Sequence, residues 1–220
     1  MRFATNEFYH IFNRGVDNKI IFPKKSDYSR FLKGLLFFNS TYPIELRHFK
    51  NEKNLDITEI VSPEKLVDII SYCLMKDHVH LLIKVTTPES ASEFIRKLFI
   101  GYTMYFNTKY ERKGVIFQGR SKSKHIDDWI YMEHVLRYIH LNPADYLNIS
   151  WRKHGIKNTK EIKNHILNYP WSSINELFEE KENTIISQRA AREFLPNKRE
   201  FINSMLDWSS KDFEKTKDFF

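Results

Sequence analysis

The chain is short of several things, and each shortage removes a class of protein. It has a single cysteine, Cys73, in 220 residues, which excludes an internal disulfide and a cysteine-rich zinc site. No apolar run approaches the ~18 residues that a membrane helix needs, and the mean hydropathy is −0.53. The opening residues, Met1-Arg2-Phe3-Ala4-Thr5-Asn6-Glu7, contain an early acid and no apolar signal region. There is no internal repeat and no low-complexity tract. The expectation is a protein of the reducing cytoplasm, with no membrane partner.

What is present suits a globular domain. Hydrophobic residues make up 41% and aromatic residues 15%, enough for one domain of ordinary size, with or without a small appendage. The chain carries 35 Lys and Arg against 28 Asp and Glu, a net charge of +7. That total says little, but its placement says more. Between Arg96 and Lys124 stand eight basic residues (Arg96, Lys97, Lys109, Arg112, Lys113, Arg120, Lys122, Lys124) and one acid, Glu111. This segment therefore holds the whole excess. Charge gathered this way fits either a polyanion partner or a solvated helix face followed by a loop.

Periodicity outlines the elements. Phe8-Tyr9-His10-Ile11-Phe12 reads as a first strand, closed by Asn13-Arg14-Gly15. Ser26 is a candidate cap for a helix to about Phe38, with Tyr28, Phe31, Leu32, Leu35 and Leu36 at helical spacing. Residues 42–62 are polar and irregular and read as an insertion. Val67 to Met75 and Val79 to Val85 are strand candidates joined by a tight Lys76-Asp77 connection, hence a hairpin. Glu89 to about Thr108 suits a long amphipathic helix. Val115-Ile116-Phe117 and Ser123 to Ile126 are short extended pieces around a turn at Gly119. Asp127 or Asp128 can cap a helix from Trp129 to about Leu141, which Pro143 stops. Beyond Asn148 the pattern is one of small peripheral helices. Two helices among four or five hairpin-linked strands predict an α+β fold of the ferredoxin-like (RRM-like) kind, with a central antiparallel sheet. The division expected is a catalytic domain over 1–147, with the insertion near 42–62, and a helical extension over 148–220 packed on it.

Two segments carry candidate chemistry. In Asp77-His78-Val79-His80-Leu81-Leu82-Ile83, strand alternation puts Val79, Leu81, Ile83 and Val85 in one apolar row and sends His78 and His80 to the other face. Two imidazoles so placed can converge on one metal ion, or stand as polar residues on the wet side of a half-buried sheet. In Arg137-Tyr138-Ile139-His140-Leu141-Asn142-Pro143, Tyr138 and Asn142 are one helical turn apart on one face. A His78/His80/Asn142 donor set is too hard and open for structural zinc and suits Mg²⁺ or Mn²⁺. Pro143 disfavours helical geometry at Asn142, so a loosened last turn is expected there. A tyrosine hydroxyl beside such an ion is a candidate nucleophile on phosphorus, and the bland alternative for Tyr138 is a packed helical tyrosine.

Taken in order, these motifs resemble a known family. Tyr9-His10-Ile11-Phe12-Asn13-Arg14-Gly15, Met75-Lys76-Asp77-His78-Val79-His80-Leu81-Leu82, Phe117-Gln118-Gly119-Arg120, Arg137 to Pro143, and Tyr169-Pro170-Trp171-Ser172-Ser173 are similar to the successive motifs of the single-tyrosine HUH transposases of small insertion sequences, in particular the REP-associated tyrosine transposases. The resemblance spans about Phe8 to Ser173. It implies a central antiparallel sheet with the histidines on the middle strand and the tyrosine helix over it. It further implies His78, His80 and Asn142 as metal ligands and Tyr138 as nucleophile, cutting single-stranded DNA near hairpins through a 5′-phosphotyrosine. The implied partner is hairpin-bearing single-stranded DNA, and the protein would be a monomer or homodimer. Two features depart from the family pattern. Lys76-Asp77 stands where a Pro followed by Asn or Glu is usual, and the 42–62 insertion is atypical.

Around this core, Arg120, Lys122 and Lys124 alternate along an extended piece and suit one phosphate track, and Gln118 could read a base edge. Asn13 and Arg14 suit either a DNA contact or the turn that ends a strand. His10, His125 and Asp77 are candidates for orienting a ligand histidine. His140, on the other side of the helix from Tyr138, reads as structural, and Tyr102 and Tyr105 as core. Two other functions fit the same residues: a domesticated, non-catalytic nucleic-acid-binding protein, and a metal-dependent hydrolase that uses water and has no need of Tyr138.

Overall fold

The structure, a computed structural model, describes residues 3–41, 64–147, 151, 155–156, 158–179 and 185–211. The insertion expected at 42–62 lies outside the described residues. Four strands, β1 (Phe8–Arg14), β2 (Val67–Leu74), β3 (His78–Val85) and β4 (Lys122–Ile126), form one sheet in the order β2-β3-β1-β4. Every neighbouring pair is antiparallel. Helix α1 (Lys25–Phe37) links β1 to β2, and α2 (Pro88–Lys109) links β3 to β4. This is the expected ferredoxin-like arrangement. A third helix, α3 (Trp129–Leu141), follows β4, and α4 (Thr159–Leu167), α5 (Gln188–Arg192) and α6 (Lys198–Lys211) come after it.

The sheet has two unlike faces because side chains alternate along each strand. Val79, Leu81, Ile83 and Val85 of β3 are buried with Tyr9 and Ile11 of β1, opposite them across the ladder. Phe31 and Leu35 of α1 and Phe94 and Leu98 of α2 are buried in the same core. The other face presents His78 and His80, beside Arg14 and Phe12 of β1 and, farther along, His10 opposite Leu82. Helix α3 lies against this second face: Tyr138 edges onto the His80 ring at 5.4 Å, and Lys124 of β4 lies over the Tyr131 ring at 5.3 Å. A ferredoxin-like sheet with both faces covered explains why His10 and Asn142, both polar, are wholly buried.

Helix α1 begins two residues earlier than a Ser26 cap would place it, and its cap is Lys24. Asp27, at the third helical position, takes the N–H of Lys24 at 2.8 Å, so the carboxylate satisfies a first-turn donor instead. The same carboxylate, fully buried, accepts from Tyr105, Lys109 and Tyr110 at the far end of α2. Burial alone would raise its pKa, but these donors hold it below the ordinary carboxylate value. Asp27 thus ties the two helices together. Tyr102 is core, as expected, with its hydroxyl on the Ile21 carbonyl.

The piece at 115–117 does not form a strand. Glycines with positive φ, Gly114 and Gly119, turn the chain on both sides, leaving one bridge between Phe117 and Gly15. Gly15 itself tolerates no side chain, because a Cβ there would lie 2.1 Å from the Lys19 carbonyl oxygen. The segment around Trp171 is sewn to the free edge of β2: Leu74 N–H donates to the Trp171 carbonyl, Ser173 N–H to the Tyr72 carbonyl, and Tyr72 N–H to the Ser173 hydroxyl. That accounts for the Tyr169–Ser173 motif as a structural fastening. No helix among the described residues is long and apolar enough to cross a membrane.

Candidate metal and nucleophile site

Strand β3 and the C-terminal end of α3 bring His78, His80, Tyr138 and Asn142 together. The strand supplies the two imidazoles from one face, and the helix supplies the phenol and the amide from one side. His78 Nε2 lies 3.5 Å from Asn142 Oδ1. That distance is at the outer limit of a hydrogen bond. It is close to the roughly 3 Å between adjacent donors on one octahedral ion with ~2.1 Å bonds.

The geometry at Asn142 has a local cause. Pro143 has no N–H to give to the Ile139 carbonyl, which would otherwise lose its helical partner. The Asn142 side chain takes that place, its Nδ2 donating to the carbonyls of Tyr138 at 2.9 Å and Ile139 at 3.4 Å. With the NH₂ turned back onto the helix, Oδ1 is the end that faces His78. The loosening expected before Pro143 does not occur: Asn142 keeps αR geometry, φ −51° and ψ −40°, and the chain passes into a 3₁₀ turn over Asn142–Leu147.

Each histidine is held at its Nδ1. His78 Nδ1 is 2.9 Å from Asp77 Oδ1, and His80 Nδ1 is 2.9 Å from His10 Nε2. The Asp77 carboxyl feels burial, which raises its pKa, but the bond and charge of His78 and the Arg14 guanidinium hold it below the ordinary range. His10 is pushed down to about 3, by burial first and then by the charge of Lys124, and is neutral. Of the three candidates for orienting a ligand histidine, His10 and Asp77 are so placed. His125 is not: it points to the other face of β4, pairs with Glu7 at 3.0 Å and lies against Tyr9. His140 is structural, fully buried with its Nδ1 on the Ser172 hydroxyl at 2.9 Å, and burial lowers its pKa to about 3.

Sequence reasoning expected an open site, and the packing is closed. His78 is 8% exposed, His80 2%, and Tyr138 and Asn142 0%. The Tyr138 ring sits among His80, His10 at 6.4 Å and Trp151 at 6.5 Å. Two neighbours had no signal in the sequence. Phe12 stacks near the His80 ring at 6.1 Å because register puts it directly across the ladder, and Trp151 reaches Tyr138 from beyond the helix.

The basic track divides. Lys122 and Lys124 lie on the histidine face of the edge strand β4, Lys122 over the Phe12 ring at 5.9 Å. Arg120, after the Gly119 turn, instead lines a cavity of about 730 Å³ on the opposite face, with Asn13, Arg96, Phe99 and Phe117. Asn13 is engaged in the turn, its Oδ1 accepting from Arg14 N–H and its Nδ2 donating to the Gly119 carbonyl. Gln118 is exposed on the same turn. Arg14 is half-exposed, 4.0 Å from Asp77 beside His78.

The donor set fits a hard divalent ion: two neutral-capable imidazoles and an amide oxygen, each held from behind by a second group. Among the described residues no group of three His, Cys, Asp or Glu side chains is placed to hold a metal, so an all-imidazole or carboxylate-rich centre is not formed there.

Residues 46–142 match the model of the IS200-like transposase family, and this stretch includes both histidines, Tyr138 and Asn142. Over that stretch, a little under half of the chain, it is similar to the IS200-like transposases, in agreement with the resemblance drawn from the motifs. Among solved structures, it is similar to a REP-associated tyrosine transposase bound to a REP hairpin, at 12% identity and a TM-score of 0.48, over 89% of this chain and 86% of that one. It is also similar to a bacterial tRNA(His) guanylyltransferase-like protein in complex with GTP, at 10% identity and a TM-score of 0.39, over 92% of each chain. At these scores neither likeness carries weight for function. No curated protein matches the chain significantly.

Proposed function

We propose that the protein is a metal-dependent transesterase that cuts and rejoins single-stranded DNA near hairpins, with Tyr138 as nucleophile. The observation that carries this reading is the position of Asn142: its amide is anchored to the carbonyl of Tyr138 and its oxygen faces His78. One helical turn thereby sets the phenol and the third donor beside the histidine pair. His78, His80 and Asn142 would hold Mg²⁺ or Mn²⁺, which supplies Lewis-acid polarisation of a phosphodiester oxygen. The Tyr138 oxygen forms a bond to phosphorus, the bond from phosphorus to the 3′ oxygen breaks, and the 3′ oxygen leaves as a hydroxyl. The proton lost by the phenol equals the one gained by the 3′ oxygen, so the step is balanced. The product, a 5′-phosphotyrosine, keeps the phosphodiester's energy for rejoining. Lys122 and Lys124, on the histidine face, suit the phosphates leading to the site. Because Tyr138 is enclosed in the present packing, DNA entry requires α3 or the Trp151 side chain to shift.

The test is a covalent-complex assay. The protein is incubated with Mn²⁺ and labelled single-stranded hairpins taken from the DNA flanking its gene, then run on a denaturing gel. A protein–DNA band, abolished by EDTA and by Tyr138→Phe, is the expected result. Cleavage with no adduct at any time would favour water as nucleophile. Metal-independent binding with neither cleavage nor adduct would favour a non-catalytic DNA-binding protein.

A further inference from the structure

The two histidines of β3 are braced by different chemistry, and the difference bears on how His80 presents its second nitrogen. Behind His78 stands a carboxylate, Asp77, which can only accept, so His78 Nδ1 carries the proton. Behind His80 stands another imidazole, His10, across the sheet on β1. The rings are 5.1 Å apart and nearly parallel, at 22°. His10 is completely buried, so a charged imidazolium there is strongly disfavoured, and a neutral ring offers one donor and one acceptor. Two arrangements of the shared proton exist. If His10 donates, His80 must keep its proton on Nε2 and has no lone pair there for a cation. If His80 donates from Nδ1, its Nε2 lone pair is presented.

We propose that His10 is a positioning residue: its Nε2 accepts the Nδ1–H of His80 and so keeps His80 in the tautomer that can ligate through Nε2. This rests on the metal-site reading above and goes beyond it by giving a role to a residue that touches neither metal nor DNA. His10 Nδ1 has no hydrogen-bond partner among the described residues. Among the described residues, then, no third group bonded to His10 fixes the proton arrangement of the pair. Phe12 lies beside both rings, 4.9 Å from His10 and 6.1 Å from His80, and confines them to this side-by-side arrangement. A neutral acceptor polarises His80 less than a carboxylate would, so the two ligands differ in basicity, with His78 the stronger donor.

The test uses Mn²⁺ titration of the full chain as wild type, His10→Phe and His10→Gln. Phe keeps the ring volume and removes the acceptor, whereas the Gln oxygen can stand near the position of Nε2. Expected is roughly 10- to 100-fold weaker binding for His10→Phe, as for other residues that orient a ligand histidine, and recovery to within a few-fold in His10→Gln. Folding of each variant is checked by its thermal transition. A readout independent of any variant is nitrogen NMR of the Mg²⁺-loaded wild type, in which His80 and His10 should both be protonated at Nδ1. Wild-type affinity in His10→Phe, or a protonated His10 Nε2 in the loaded protein, overturns the role of His10 and leaves the metal site standing. No divalent ion bound by the wild type overturns both.

Discussion

The side-chain amide of Asn142 donates to the carbonyl of Tyr138, the residue one turn earlier, at 2.9 Å. The bond makes the end of α3 and the donor set a single construction. Asn142→Ala should then do two things at once. It should abolish strong Mn²⁺ binding in a titration, and it should lower stability by about 1–3 kcal/mol in urea unfolding, since the Ile139 carbonyl loses the partner that replaced the missing Pro143 N–H. Loss of stability with unchanged metal binding would assign Asn142 to helix termination alone.

Tyr138→Phe should separate chemistry from packing. The ring is wholly buried against His80 and His10, and Phe preserves that packing. Stability should change by no more than about 1.5 kcal/mol, the scale of one hydrogen bond, while the covalent adduct disappears. A variant that fails to fold would show the hydroxyl to be structural.

The division of the basic segment gives a third prediction. Lys122→Ala with Lys124→Ala should weaken single-stranded DNA binding and reduce the salt slope by roughly 0.7 for each phosphate that a lysine no longer neutralises. Arg120→Ala faces the other side of the sheet and should leave the cleavage rate of bound DNA unaltered. Binding assays across a salt series, with single-turnover cleavage alongside, decide it. A slope unchanged in the double lysine variant would put the phosphate track elsewhere.

Asp27 predicts a pH dependence. Its carboxyl is held below the ordinary range in the folded chain, so the folded state favours the ionised form more than the unfolded state does. The stability this provides is complete above the unfolded value of about 4 and is lost as pH falls toward the lowered native value. Asp27→Asn should cost about 2–3 kcal/mol at pH 7, on the scale of hydrogen bonds to a charged group. It should also flatten the decline below pH 4, measured as urea midpoints from pH 3 to 7. An equal decline in both proteins would assign the acid sensitivity to other carboxylates.

Much of the site was legible in the sequence because its spacing is local. A strand repeats every two residues, so His78 and His80 share a face whatever surrounds them, and a helix repeats near four, so Tyr138 and Asn142 do as well. The same local rules located β3, α2 and α3, whose apolar patterns are long and regular. They failed at Ser26, where Asp27 bonds back to the Lys24 N–H and makes Lys24 the cap, and at 115–117, where two turning glycines left too little chain for a strand.

What the tertiary structure alone decided is which faces meet. That His10 stands behind His80, and His125 does not, follows from the β1–β3 register, which no spacing within one segment contains. Lys122 and Arg120 go to opposite sides because β4 begins only at Lys122, leaving Arg120 in the Gly119 turn and outside the strand's alternation. The enclosure of Tyr138 by Trp151 joins residues 13 positions apart in sequence, brought together only when the chain folds back past Pro143. Periodicity is a property of the backbone and can be read along the chain. Register, enclosure and the choice of hydrogen-bond partner are set by free energy shared among distant segments, and exist only once those segments pack.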